Sequence, residues 1–203
     1  MSDTLRALAG RGETRRYRKG TLLIQEGDHG DTLFIILSGR LRAFSAGDND
    51  REITYGVYGP GEYLGEMSLD GGPRSASVIT LETTTCSVVS RRTLERFISE
   101  RPEFAFELLA KVIRRARAAT LNARQLALND VYGRLRLLLA EVSTPHDDGH
   151  RIVTERLTHQ EMAHRLGCSR EMVSRLMKDL ERGGYTTLQD SRIHILKPLP
   201  QRW

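Results

Sequence analysis

The sequence predicts an α+β protein in which an N-terminal β-roll, one long helix and a C-terminal winged helix-turn-helix follow one another. Three observations predict this order. Glycines separate short β-rich runs from about residue 14 to residue 90, and no glycine then occurs from Arg92 until Gly133. About 50 residues at the end of the chain show the pattern of two helices and a hairpin. We therefore expect two domains, residues 1–131 with the long helix at about 102–129, and residues 132–203.

Composition narrows the class of protein. The chain has 203 residues, 39% of them hydrophobic, and a net charge of +5, which permits contact with nucleic acid. Cys86 and Cys168 lie too far apart in sequence to build a disulfide framework or a zinc site, which favours a reducing, cytoplasmic environment. Residues 1–20 are polar and arginine-rich, and no run approaches the roughly 20 apolar residues of a membrane helix. We expect neither a metal nor a membrane partner.

Short β-rich runs predict the strands of the roll. Hydrophobic and β-branched residues cluster at 22–24, 33–37, 53–55 and 86–89. Glycine-rich turns separate these runs at close spacing, which is typical of a small barrel or roll.

The long helix begins near Pro102, a residue favoured in a first helical turn, and runs from Glu103 to about Asn129. Apolar and small side chains recur along it in steps of four and three, at Leu109, Ile113, Ala116, Thr120, Ala123 and Ala127. This is the spacing of a two-stranded seam, so we predict a homodimer through the long helix. The alternative is a single helix that packs on its own roll.

Five cations without a neighbouring acid lie on the same helix, at Lys111, Arg114, Arg115, Arg117 and Arg124. Such a cluster either favours an anionic ligand or forms a solvated face. We favour the solvated face.

The second domain begins with a helix near Val131, for which Asn129 and Asp130 offer a cap, and continues through a polar loop at 143–150. Thr158 and Glu161 form a capping box for a first short helix, which Gly167 ends. Ser169 caps a second helix, which completes a helix-turn-helix. Residues 185–188 and 193–196, joined by 189–192, predict a β-hairpin that serves as the wing.

The second short helix divides into two faces. Its inward face holds Val173, Leu176, Met177 and Leu180, and its outward face holds Arg170, Glu171, Ser174, Arg175 and Lys178. Arginine binds guanine through two acceptors, and glutamate accepts from the amino group of cytosine. We interpret this as the recognition helix of a DNA-binding protein; the alternative is an exposed ion pair between Glu171 and Arg175.

Nearly the whole chain resembles the cyclic-AMP receptor protein / fumarate-nitrate regulator family of bacterial transcription regulators. The stretch 167–175 (GCSREMVSR) resembles the family's recognition motif, and 20–28 (GTLLIQEGD) and 33–39 (LFIILSG) resemble the entry strands of a cyclic-nucleotide-binding β-roll. The resemblance implies a TGTGA-like half-site in double-stranded DNA, with Arg170 and Arg175 on guanines and Glu171 on the cytosine side. It also implies phosphate contacts by Gln160, Ser169 and Lys178.

A ligand pocket is implied by 61–69 (GEYLGEMSL) and 73–76 (PRSA), which resemble the family's phosphate-binding cassette. Backbone amides near Gly65 and Ser75 approach the phosphate, Arg74 pairs with its charge, and Glu66 accepts from a ribose hydroxyl. The base contacts of the family come from a Thr-Ser pair on the long helix, which matches Ala119 and Thr120 here. The loss of one hydroxyl affects base identity more than phosphate binding.

The resemblance implies a dimeric regulator with cyclic AMP as its allosteric effector and a contact to RNA polymerase through the loop 144–150. The alternatives are a ligand-independent regulator, a regulator with another ligand such as cyclic di-GMP, and a cyclic-nucleotide-binding regulatory subunit of an enzyme or channel. Two cysteines cannot hold an iron–sulfur cluster with the usual four thiolates, whereas histidine counts leave a haem sensor open. We find no catalytic nucleophile–base pair, so we do not expect an enzyme.

Overall fold

The computed structural model describes residues 1–47, 52–146 and 149–202, with backbone only at 125–128. The chain divides into two compact units. The first comprises Met1–Ala46 and Thr54–Ala118, and the second comprises Gly47–Ile53 and Ala119–Trp203.

The first unit is a roll of two antiparallel sheets with helices at both chain ends of the roll. Its helices are α1 (Asp3–Ala9), α2 (Arg91–Glu100) and the long helix α3 (Glu103–Leu128), which continues into the second unit. Its strands are β1 (Glu13–Tyr17), β2 (Leu22–Ile24), β3 (Thr32–Ser38), β4 (Leu41–Ala46), β5 (Glu52–Tyr58), β6 (Tyr63–Leu64), β7 (Ser77–Thr80) and β8 (Thr84–Ser90). The first two residues of β5 are assigned to the second unit. The sheet orders are β1-β8-β3-β6 and β2-β7-β4-β5.

Strand β3 divides the hydrophobic core of this unit, because successive side chains of a strand point to opposite faces. Leu33 and Ile35 pack with side chains of α1, α2 and Phe104 of α3. Phe34 and Ile36 pack with side chains of the second sheet. The register of β3 thereby places the helices on one face of its sheet.

The four sequence-predicted strands are confirmed as β2, with the predicted bounds, and as β3, β5 and β8 with longer bounds. Helices α1 and α2 and strands β1, β4, β6 and β7 were not predicted individually. Strand β6 has only two residues and is defined by its pairing with Phe34 and Ile35, so no local pattern marks it. The predicted long helix is confirmed as α3. Among the described residues, no helix has the length and apolar character needed to span a membrane.

The seam of α3 remains uncovered in the single chain. Leu109 is 54% exposed and Ile113 is 42% exposed, and Ala116, Thr120 and Ala123 are exposed as well. The side chain of Ala127 lies outside the described residues. Helix α3 packs on its own roll through a different face, which includes the buried Phe104, and the homodimer through the exposed seam stays a prediction.

In its described residues the second unit contains the end of α3, three further helices and a four-stranded sheet in the order β11-β12-β10-β9. Its elements after α3 are α4 (Val131–Glu141), β9 (Ser143–Pro145), β10 (Arg151–Val153), α5 (His159–Leu166), α6 (Arg170–Arg182), β11 (Thr186–Gln189) and β12 (Arg192–Ile195). The expectation of a polar loop at 143–150 is wrong at its start, because Ser143–Pro145 pairs with Arg151–Val153. Residues 147–148 of that loop lie outside the described residues. Strand β9 has no hydrophobic residue, so no hydrophobic pattern predicts it.

The predicted wing is confirmed, with a tighter turn than expected. Gln189 pairs with Arg192, so only Asp190 and Ser191 form the loop. Both have positive φ, 49° and 60°, as a two-residue hairpin turn of the primed type requires.

Candidate nucleotide pocket and nucleic-acid interface

Gly65 lies where the cassette turns from β6 into a short 3-10 turn. Its φ is 100°, a backbone conformation that residues other than glycine rarely adopt. A Cβ atom here would lie 2.4 Å from the backbone oxygen of Thr32 and 2.8 Å from Nη1 of Arg74. The cassette therefore requires glycine at this position, because backbone and guanidinium approach it closely.

Arg74 is buried in the cassette and bound by protein groups. It is 7% exposed, and Nη1 donates to the Gly65 carbonyl at 3.0 Å and the Ser68 hydroxyl at 2.8 Å. Nη2 donates to the Thr32 carbonyl at 3.1 Å and the Thr32 hydroxyl at 3.0 Å. Burial lowers the pKa of Arg74, and the charge of Asp31 opposes this effect. The guanidinium holds the cassette together, whereas Ser75, the next residue, is exposed.

Glu66 lies at the start of the 3-10 turn, is 6% exposed and forms an ion pair with Nη1 of Arg115 from α3. Its Oε2 atom has no hydrogen-bond partner among the described residues. Nη2 of Arg115 donates to the Tyr63 carbonyl at 2.7 Å. The pocket thus contains a buried carboxylate with one oxygen occupied by the long helix and one oxygen available to a donor.

Arg115 contacts two aromatic rings in addition to its ion pair with Glu66. Its guanidinium carbon is 4.9 Å from the Tyr58 ring centroid and 6.0 Å from that of Tyr63. Burial lowers the pKa of Arg115, and Tyr58, Tyr63 and Glu62 oppose this effect.

A second ion pair lies one helical turn earlier. Nζ of Lys111 donates to Oε1 of Glu62 at 3.1 Å and lies 5.1 Å from the Tyr63 ring centroid. The other Glu62 oxygen accepts the Gly59 N–H at 2.9 Å. Burial raises the pKa of Glu62, but the Gly59 and Lys111 hydrogen bonds outweigh it and hold that pKa below its ordinary value.

The preference for a solvated cationic face is therefore wrong for Lys111 and Arg115, both of which contact the cassette. It holds for Arg114, Arg117 and Arg124, which are exposed. Sequence reasoning did not assign the first two to the pocket. The sequence did contain a signal for these contacts. Lys111 and Arg115 are four residues apart on the helix, as Glu62 and Glu66 are in the cassette.

Thr120 and Ala119 are exposed on the part of α3 that belongs to the second unit. A contact between Thr120 and a ligand remains a prediction.

The local signals of the helix-turn-helix are confirmed. Thr158 and Glu161 form both hydrogen bonds of a capping box at the start of α5. Gly167 ends α5 with φ 64°, and the Ser169 hydroxyl accepts the Met172 N–H at 3.3 Å at the start of α6. The turn before α6 is thus built by residues within four positions of one another.

Helix α6 has the two faces that its sequence predicts. Val173, Met177 and Leu180 are buried in the core of the second unit, and Leu176 packs against it. The opposite face exposes Arg170, Glu171, Arg175 and Lys178. Among the described residues no ion pair joins Glu171 to Arg175, so the structure does not support the alternative of a surface ion pair.

Ser174 and Gln160 contact neighbouring histidines. The Ser174 hydroxyl lies 2.9 Å from Nδ1 of His159, which joins α6 to the first residue of α5. Nε2 of Gln160 lies 2.6 Å from Nε2 of His164. Ser174 is half-buried and Gln160 is exposed.

The cysteines lie in different environments. Cys86 is fully buried, and burial raises its pKa to about 11, whereas Cys168 is half-buried beside Ser169. The described part of the chain contains no group of three His, Cys, Asp or Glu residues arranged to hold a metal ion.

Family models of two known protein domains match this chain. Residues 14–101 match the family model of the cyclic nucleotide-binding domain, and residues 133–199 match that of the Crp-like helix-turn-helix domain. The CRP-like cAMP-activated global transcriptional regulator of Mycobacterium tuberculosis is 32% identical over 183 residues, covering 88% of this chain and 82% of that protein. This chain belongs to the CRP-like family of transcription regulators. The CRP-like protein Clp of Xanthomonas oryzae pv. oryzae is 30% identical over 192 residues, covering 90% of this chain and 84% of that protein.

Solved structures of CRP-like regulators confirm the fold class. The c-di-GMP responsive global regulator CLP of Xanthomonas campestris has a TM-score of 0.82 at 25% identity, covering 96% of this chain and 98% of that one. The catabolite activator protein of Thermus thermophilus has a TM-score of 0.57 at 30% identity, covering 96% and 90%. These relatives are regulators and not enzymes, so this chain is a CRP-like transcription regulator with a cyclic nucleotide-binding domain and a DNA-binding helix-turn-helix.

Proposed function

We propose that this CRP-like regulator is a homodimer that binds a palindromic TGTGA-like site, with a cyclic nucleotide, most simply cyclic AMP, as its allosteric signal. The observation that carries the DNA-binding part is the outward face of α6. Arg170, Glu171 and Arg175 are exposed near the N-terminus of the helix, the end that a recognition helix presents to base edges.

The three charged side chains Arg170, Glu171 and Arg175 contact the bases. Arg170 and Arg175 each offer two donors to a guanine, and Glu171 accepts from the amino group of a cytosine. Gln160, Ser169 and Lys178 contact phosphates on either side, and Ser174 contacts DNA through the face it shares with Arg170. Phosphate contacts set the register, and base contacts set the sequence.

Dimerisation places two such helices on one site. The exposed side chains Leu109 and Ile113 are apolar, and burying a leucine or isoleucine fully is worth about 1.5–3 kcal/mol. A second copy of α3 covers them in a two-stranded seam. The two recognition helices then lie about one helical turn of DNA apart, roughly 34 Å.

The ligand binds at the cassette. Oε2 of Glu66 accepts a ribose hydroxyl, backbone amides near Gly65 and Ser75 bind the phosphate, and Arg74 contributes positive charge. Thr120 contacts the base. The Mycobacterium tuberculosis relative is described as cAMP-activated, which supports cyclic AMP as the first ligand to test. We retain RNA polymerase as a partner of the loop 144–150, part of which lies outside the described residues.

A second candidate is a regulator of the same fold that responds to another ligand or to none. Both Nη atoms of Arg74 already donate to protein oxygens, and Ala119 lacks the hydroxyl that the family offers to adenine. The Xanthomonas campestris neighbour is described as c-di-GMP responsive. These observations favour direct comparison of several ligands.

The decisive experiment measures fluorescence anisotropy of a labelled TGTGA-type palindrome with no ligand, cyclic AMP, cyclic GMP or cyclic di-GMP. Tightening by cyclic AMP supports the first proposal. A response to cyclic di-GMP alone, or equal affinity throughout, supports the second. A palindrome that binds no better than scrambled DNA contradicts both.

Calorimetry of cyclic AMP binding tests the pocket. Arg74→Leu abolishes binding if the assignment is right, but it also removes hydrogen bonds that hold the cassette. Ser75→Asp is therefore the second variant, since Ser75 is exposed and a carboxylate beside the phosphate repels its charge. Both variants binding like the wild type would refute the pocket assignment.

A further inference from the structure

One arginine joins the ends of two helices in the second unit. Nε of Arg134, on α4, donates to the carbonyl of Leu166 at 3.1 Å. Nη1 of the same side chain donates to the carbonyl of Asn129 at 2.9 Å. Leu166 is the last residue of α5, and Asn129 directly follows the last residue of α3.

Both acceptors belong to the class of backbone groups that most need a donor. The last four carbonyls of a helix have no partner within the helix, and they carry the negative end of its dipole. A guanidinium presents its N–H groups in a rigid plane, so one side chain reaches two carbonyls in fixed directions. A lysine carries the same charge on a single nitrogen without this fork.

The two bonded carbonyls lie beside the two turns that orient the DNA-reading helix. Leu166 precedes Gly167 and Ser169, which form the turn and the N-cap of α6. Asn129 precedes Asp130, whose carboxylate accepts the Gly133 N–H at 2.7 Å and caps α4.

We propose that Arg134 is the positioning residue that couples the end of the long helix to the turn before the recognition helix. A rotation of the peptide group at Asn129 moves or breaks one bond of the fork, and the rigid guanidinium transmits that change to Leu166. Only the coupling of Arg134 to the ligand rests on the proposed function, in which a ligand controls DNA binding. The bridge itself is a property of the second unit.

Arg134→Lys in the full chain tests the bridge, because it keeps the charge and most of the apolar stem. Arg136→Lys is the matched control, since Arg136 lies on the same helix and its Nε has no hydrogen-bond partner among the described residues. Amide hydrogen exchange is measured in peptides that cover 126–133 and 163–170. We expect both segments to exchange faster in Arg134→Lys and neither to change in Arg136→Lys. A change in one segment alone, or in neither, overturns the bridge.

The affinity of the TGTGA-type palindrome with and without cyclic AMP tests the coupling. In a responding wild type, Arg134→Lys reduces the ratio of the two affinities by roughly 2- to 30-fold, the range seen for residues that transmit coupling. An unchanged ratio limits Arg134 to a structural role and overturns the proposal. A wild type that does not respond contradicts the proposed effector instead, and hydrogen exchange then decides on the bridge alone.

Discussion

The guanidinium of Arg115 on the long helix forms an ion pair with the buried carboxylate of Glu66 in the cassette. The two residues are 49 positions apart. The pair occupies one oxygen of the carboxylate that we assign to the ribose, so a ligand must share Glu66 with the helix or displace Arg115 from it. On that assignment, either event alters the attachment of α3 to the roll, and ligand binding would thereby affect the position of the helix.

Arg115→Met lowers the free energy of unfolding of the ligand-free protein by about 3 kcal/mol, because it leaves a buried carboxylate without its cation. Urea denaturation measures this loss. Arg114→Met is the control: this neighbouring arginine is exposed, and we expect a change within about 0.5 kcal/mol. The double variant Arg115→Met/Glu66→Gln is more stable than Arg115→Met alone. Equal stability of the two arginine variants would show that the pair contributes nothing.

Gly65→Ala destabilises the roll by about 3 kcal/mol, since it combines a strained positive φ with a Cβ atom 2.4 Å from the Thr32 carbonyl oxygen. Gly71→Ala separates the two effects. Gly71 also has positive φ, 92°, but a Cβ atom there meets nothing within 4 Å. We expect only about 1–2 kcal/mol for this control, the cost of the conformation. Thermal and urea unfolding measure both, and similar losses would rule out the close approach as a cause.

The free energy of unfolding falls between about pH 9 and pH 11 because the Cys86 thiol is buried. Burial raises its pKa from 9.0 to about 11 in the folded protein, so the unfolded chain loses the thiol proton first and the folded state is penalised as the pH rises through this window. The loss amounts to roughly 3 kcal/mol at full separation of the two pKa values. Urea denaturation of the wild type and of Cys86→Ala at pH 8.5 and 11 measures it. Parallel pH profiles for the two proteins would disprove the assignment to Cys86.

Arg170→Ala and Lys178→Gln affect DNA binding differently. Removing a base contact costs about 1–3 kcal/mol on the specific site and relaxes the preference for guanine at one position. Removing a phosphate contact weakens binding to all sequences alike and lowers the slope of log affinity against log salt by about 1. Anisotropy on specific and scrambled duplexes over a salt series measures both effects. Arg182→Gln, an exposed arginine in the last turn of α6, is the control. If Arg170→Ala lost affinity equally on both duplexes, Arg170 would be a phosphate contact.

The helix-turn-helix and the wing could be predicted because their signals are local. The Thr158–Glu161 box, the Gly167 turn, the Ser169 cap and the hairpin at Asp190 depend on residues a few positions apart. A side chain that bonds the backbone three residues away does so wherever the rest of the chain lies. Hydrophobic spacing likewise predicted which face of α6 is buried.

Tertiary structure alone decided the contents of the ligand pocket. The sequence determined that Glu66, Arg74 and the cations of the long helix exist in suitable motifs, and it predicted an exposed face for Arg115. Which cation meets which carboxylate depends on how α3 packs on the roll, and the partners of Arg74 depend on the register of β3, which brings Thr32 beside the cassette. Such contacts join residues 42 to 49 positions apart, so the sequence shows at most the matched spacing of four and not which residues meet. The physical reason is that a buried charge takes whichever partner the packed backbone presents, and that partner exists only after the chain has folded.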